Sequence, residues 1–194
     1  MCLIFFMKRK SYELQKDTKR LKESKENFIK LNLDWKHISY LKKLSESFIE
    51  KYSDNLNWIL ISRFQKLSEP FIEKYSDKVD WKNITDCQRL SESFIAKHSE
   101  KIDWKIVSTY KDLSIEFIEK HSDKLDWGNI SMSQNLSETF IEKHSDKINW
   151  RLVGFSQDLS ESFIAKYKDI LDPFYIKRYQ KLSEPFRQKY GFIL

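Results

Sequence analysis

Glycine and proline are nearly missing from this chain, with three of each in 194 residues. A barrel or sandwich needs a turn residue every few positions, so this scarcity argues for helices. Cysteine is as rare. Cys2 and Cys87 cannot build a disulfide framework or a four-ligand zinc site, and a reducing, intracellular compartment is the simple expectation. Long apolar runs are missing too. The start, MCLIFFMKRK, is seven apolar residues and then basic ones. That order is the reverse of a secretory signal, and the run falls far short of the roughly 20 residues that span a bilayer. Two readings of it stay open: translation from Met7, or a short apolar plug over the first repeat. There is no glycine-rich phosphate loop and no triad-like grouping of nucleophile and base, so no enzyme, cofactor or small-molecule substrate is expected.

What the chain does have is apolar and aromatic mass: 40% hydrophobic residues, 15% of all residues aromatic. That is a core-forming composition, not a disordered one. The formal net charge of +6 is unevenly spread. Residues 1–26 hold eight Lys/Arg against four Asp/Glu, and residues 166–194 hold seven against three. The body between them holds 20 against 22. The basicity sits in the two ends.

The six tryptophans, Trp35, Trp58, Trp81, Trp104, Trp127 and Trp150, are each 23 residues apart, the mark of a repeat array. With Trp as position 0, position 3 is Ile or Val from Ile38 to Ile176, position 9 is Leu from Leu44 to Leu182, and position 13 is Phe from Phe48 to Phe186. A seventh copy has Pro173 in place of Trp, and a degenerate copy around Phe28-Ile29 precedes Trp35. Atypical end units are what a solenoid uses as caps. The expected architecture is all-α, an α-solenoid of stacked two-helix repeats. Residues 1–34 form a basic segment and degenerate cap, 35–172 form six helix hairpins, and 173–194 form a C-terminal cap.

Each unit reads as two short helices. Asp80 can cap a first helix beginning at Trp81, and Ser68 a second, with Pro70 tolerated in its first turn. Helices of about nine residues are marginal alone and need neighbours. At 100° per residue, positions 0, 3, 4 and 7 of the first helix share a stripe: Trp, Ile/Val, a small residue and mostly Gln. Positions 13, 14 and 17 make the stripe of the second helix. The slot at position 17 holds Tyr52, Tyr75 and Tyr167 but also His98, His121 and His144. Repeats stacked about 9–10 Å apart cannot bring three such imidazoles within the roughly 2.0–2.3 Å of one zinc, so these histidines read as packing residues and no metal site is expected.

Positions 2, 5 and 6 point away from the core stripe, and there the copies differ. The row includes Tyr40, Leu41, Leu60, Arg63, Phe64, Asp86, Ile106, Tyr110, Met132, Leu152, Phe155, Arg178 and Tyr179. The outer face of the second helix, in contrast, is nearly constant and charged, as with Glu73, Lys74 and Asp77. A drifting wet surface should be mostly polar, whereas exposed apolar groups mark contacts. Some of these residues can instead pack between units.

The pattern W-x-x-I-S-x-x-Q-x-L-S-E-x-F-I-E-K-Y-S-D-K-L-D, over about residues 35–194, resembles a tandem repeat of many giant-DNA-virus proteins, mimivirus-like ones among them, and of some phages. The resemblance implies a repeat scaffold, viral and inside the host cell, and carries no known activity. Two functions are expected from the residues. One is a scaffold whose variable row binds a protein partner through aromatic and Arg anchors. The other is a helical-repeat reader of RNA or DNA, gripping phosphates through the basic ends; the near-neutral body lacks the continuous basic stripe that this needs. No membrane partner is expected.

Overall fold

The computed structural model describes residues 34–40, 43–110 and 112–192. The expected basic segment and degenerate cap before residue 34 lie outside these, as does Leu41. The described residues form 14 α-helices and no strand. In chain order the repeats are α1 (Trp35–Ser39) with α2 (Glu46–Lys51), α3 (Trp58–Phe64) with α4 (Glu69–Lys74), α5 (Trp81–Cys87) with α6 (Glu92–Lys97), and α7 (Trp104–Val107) with α8 (Ile115–Lys120). They continue as α9 (Trp127–Ser133) with α10 (Glu138–Lys143), α11 (Trp150–Ser156) with α12 (Glu161–Lys166), and α13 (Pro173–Tyr179) with α14 (Glu184–Tyr190). The fold is an α-solenoid of two-helix repeats. It divides into two compact units, Met1–Ile102 and Asp103–Leu194, and the division falls between the repeats of Trp81 and Trp104. In the first unit α1, α3 and α5 pack in series; in the second α9, α11 and α13 do.

The caps follow the expected chemistry. Each first helix starts on Asp or Asn in extended backbone, whose side-chain oxygen accepts an N–H two or three residues on; Asp80 and Asn83 are one such pair. Each second helix starts on Ser, whose Oγ accepts the N–H of the Phe three residues on. Pro70 sits in the first turn, where no intrahelical bond is lost. The helices are four to seven residues long, shorter than the nine expected. Part of the reason is the tryptophan itself. Its indole Nε1 donates to the Ser carbonyl five residues back, as Trp58 does to Ser53 at 2.8 Å, and this holds the preceding turn out of helical continuation.

The core is built from the invariant stripe. The Ile/Val of position 3 and the Ile of position 14 are wholly buried, and Leu at position 9 and Phe at position 13 are mostly so. Burying one such side chain stabilises the fold by about 1.5–3 kcal/mol, enough to hold helices too short to stand alone. The tryptophans are half-buried, so they edge the core without filling it. From Trp58 to Trp150 each lies over the Phe of its own repeat, at 6.1 to 6.4 Å and nearly parallel, and against the Tyr or His of position 17.

Within each unit, three kinds of polar link tie neighbouring repeats together. The first is the Gln of position 7. It is not on the helical stripe at all: its backbone is extended and ends the first helix. Its buried amide reaches backward. Gln157 Oε1 accepts the Leu136 N–H at 2.9 Å, while Nε2 donates to the carbonyls of Ser131 and Gln134 at 2.9 and 2.8 Å. Gln88 and Gln180 repeat this arrangement, and Gln65 accepts the Leu44 N–H and donates to the Ser39 carbonyl. The second link is the small residue of position 4. Ser62 Oγ donates to the Trp58 carbonyl and accepts the N–H of Asp80, the cap of the next repeat, at 2.9 Å. Ser39, Ser108 and Ser131 do the same. The third is the Glu of the LSE motif. Glu46, Glu69, Glu138 and Glu161 each accept the N–H of the next repeat's Ser cap, at 2.5 to 2.6 Å. This is a capping box split between two repeats. Ile115 stands where that Glu would serve Ser137.

Repeats of Trp35 and Trp104 depart from the frame. Both carry Lys at position 7 in place of Gln. In both the first helix stops early, after five and four residues, and position 8 (Lys43, Asp112) takes a left-handed backbone, φ 75° and 69°.

Candidate interaction surface

With the frame fixed by these links, positions 2, 5 and 6 fall on the outward side of each first helix. Tyr40, Arg63, Phe64, Asp86, Met132, Arg178 and Tyr179 are exposed. Leu60, Ile106, Tyr110, Leu152 and Phe155 are half-buried. The row is therefore mixed: part of it faces solvent and part is drawn into the seams between repeats.

Two seams share one pairing. Position 5 of one repeat meets position 6 of the next, 24 residues on. In the first unit the Tyr40 and Phe64 rings lie 5.3 Å apart, with the Arg63 guanidinium 5.4 Å from the Phe64 ring centre and His37 6.5 Å from Tyr40. In the second unit Phe155 meets Tyr179 edge-on at 4.7 Å and Tyr175 edge-on at 5.8 Å, while Tyr175 and Tyr179 stack at 6.0 Å. Arg151 lies over Tyr175 at 5.3 Å and Arg178 over Tyr179 at 5.9 Å. Arginine over aromatic rings, at an edge still open to water, is the chemistry of interface anchors.

Two contributors escape a reading confined to positions 2, 5 and 6. Position 1 also varies, as Lys36, Ile59, Lys82, Lys105, Gly128, Arg151 and Phe174, and supplies Arg151 and the strongly exposed Phe174 and Ile59. The variation of this position is the signal in the sequence that marks it. Tyr175 lies in the variable row, but its place at the centre of a ring cluster depends on the neighbouring repeat.

The second helices carry a different surface. Lys74 pairs with Glu50, Lys97 with Glu73, Lys143 with Glu119 and Lys166 with Glu142, each joining position 16 to position 15 of the repeat before. The hydrogen-bonded ammonium groups hold the carboxyls of Glu73, Glu119 and Glu142 below the ordinary Glu range. Exposed pairs of this kind contribute little each to stability.

The histidines of position 17 pack as aromatic spacers. His98 lies 4.4 Å from Phe94 and 4.9 Å from Trp81, the places Phe71 and Trp58 take around Tyr75. Its Nε2 is buried without a hydrogen-bond partner, and burial pushes its pKa below the usual imidazole value, against the pull of Glu73. His144 differs, with Nε2 3.5 Å from Glu119. Among the described residues no three His, Cys, Asp or Glu converge on a point that would hold a metal ion. No described helix is long and apolar enough to cross a membrane.

Compared with protein-family models, with curated proteins and with solved structures, the chain finds no match.

Proposed function

We propose that this chain is a non-enzymatic repeat scaffold that binds a protein partner through the varied face of its first helices. The observation that carries the reading is the exposure of large apolar groups on that face alone of the first helix. Tyr40, Phe64, Met132 and Tyr179 are each about half exposed, beside a frame whose Ile and Val stripe is buried. The residues that invite a catalytic reading have structural partners instead. The Ser of LSE caps its helix and the Glu caps the next one. The likeness to giant-virus repeats supports a version in which the partner is a host factor inside the infected cell.

The test compares the full chain with a Phe64→Ser/Met132→Ser/Tyr179→Ser variant, checked for unchanged helical signal. Chemical cross-linking and affinity purification from lysate of the natural host should recover a protein with the unaltered chain and lose it with the variant. Equal recovery by both would refute the reading. So would binding of RNA or DNA that weakens steeply with salt while no protein is held.

A further inference from the structure

The strongest concentration of outward rings is on α11 and α13 of the second unit. Phe155, Tyr175 and Tyr179 form one cluster, and Phe174 stands beside it, 61% exposed and 5.4 Å edge-on to Tyr175. Two cations frame the cluster. Arg151 lies over Tyr175 and Arg178 over Tyr179. Among the described residues, the one acid paired with either is Asp172, whose carboxylate is 4.0 Å from Arg151 Nε, a loose contact between two partly exposed groups. Helix α13, PFYIKRY, contains no acidic residue. An apolar patch with two guanidinium groups at its rim, and almost nothing to neutralise them, is complementary to a segment carrying carboxylates next to an apolar or aromatic side chain.

We infer that this α11–α13 patch is a docking site for an acidic, apolar-anchored peptide segment of the partner protein. The anchor side chain lies on Phe155 and Tyr179, and flanking Asp or Glu residues meet Arg151 and Arg178, Arg being suited to accept a carboxylate on two donors at once. The inference rests on the reading above and names the chemistry of the partner.

A nucleic acid fits the same patch less well. Its bases need open ring faces to stack on, and its phosphates need a cationic track. Here Phe155 meets both tyrosines edge-on, so the patch offers ring edges to pack against more than parallel faces to stack on. The corresponding outward positions of α9 are Asn129, Met132 and Ser133, so the positive charge does not continue along the unit.

The experiment uses 12-residue random peptides displayed on phage and selected on the full-length chain, with an Arg151→Gln/Arg178→Gln variant for counter-selection. Both arginines are at the surface, so the variant keeps the fold; a Tyr179→Ser variant, with its helical signal and melting checked, tests the anchor separately. The expected pool is rich in Asp and Glu around an aromatic or large aliphatic residue. A synthesised winner should lose tenfold or more in affinity with either variant, and weaken as salt is raised. Peptides without acidic bias, or winners unaffected by both variants, overturn the inference. If winners are lost with Tyr40→Ser/Phe64→Ser but kept by Arg178→Gln, this patch is wrong while the broader scaffold reading stands. A 15-nucleotide single strand of thymidine or uridine that binds through the same two arginines reassigns the patch to nucleic acid and overturns both.

Discussion

At the scale of one residue, His98 shows how a slot accepts two chemistries. Tyr52, Tyr75 and Tyr167 place a phenol ring against the Trp and Phe of their repeats. His98 places a ring in the same position but can take a proton, and its buried Nε2 has nothing to share it with. Burial lowers its folded-state value, Lys97 and Lys101 add to that, and Glu73 opposes it. Unfolding therefore takes up a proton once the pH falls below the unfolded value of about 6.5. Stability from this group is full above that pH and declines below it, levelling off beneath the folded-state value. The carboxylates bonded to Lys, with depressed values, begin to matter only nearer pH 4. Between pH 7.5 and 5.5, thermal melting of His98→Tyr should fall less than that of the unaltered chain. Equal falls would mean His98 is protonated as easily in the fold as out of it.

At the scale of the element, the helices are too short to be held by propensity, and the links between repeats do much of the holding. Replacing Gln157 by Leu keeps the volume but strands the Leu136 N–H and the Gln134 carbonyl, while the Ser131 carbonyl keeps its bond from Ser156 Oγ at 3.0 Å. A buried group left unsatisfied costs about 1–3 kcal/mol, and Gln157→Leu should lose about 3 kcal/mol in urea unfolding with an unchanged slope. A loss under about 1 kcal/mol would show that water takes the place of the amide. The sequence told some of this and hid the rest for a clear reason. Caps such as Asp80 and Ser68 act within four residues, and the Ile stripe follows the helical period, so both could be read from local spacing. The Gln amide and the Glu of LSE act on groups 21 to 26 residues away. Their role depends on how repeats stack, which no local period encodes. By phase, Gln fell on the core stripe; in fact it ends the helix. The candidate surface divides the same way. Its columns were visible as variation, but the meeting of Tyr40 with Phe64 and of Phe155 with Tyr179 was not.

At the scale of the whole molecule, the repeat beginning at Pro173 is distinguished by charge at two places that are buried elsewhere. Position 4, Ser, Thr or Gly in the other copies, is Lys177. Position 14, a fully buried Ile in six copies, is Arg187, whose guanidinium donates to the carbonyls of Leu182 and Phe192. Gly191, in left-handed backbone at φ 71°, turns the chain so that Phe192 lies buried over Phe186 and Tyr190. Stacking another repeat here would bury unpaired charge, which is strongly unfavourable. Lys177→Ser/Arg187→Ile should remove that barrier and elute as a larger species than the unaltered chain at equal concentration in size-exclusion chromatography with light scattering. An unchanged mass would mean that Phe192 alone shields this face.

The split capping box has a consequence for heredity. The Glu of one copy completes the helix start of the next, and the Gln of the next completes the turn of the one before. Copies that keep this Gln and this Glu are therefore interchangeable to their neighbours, as long as the step between them is 23 residues. A crossover between misaligned copies adds or removes one whole step and leaves both kinds of junction intact. The length of the array, and with it the number of distinct outward faces, can change in a single genetic event without new residues having to be invented.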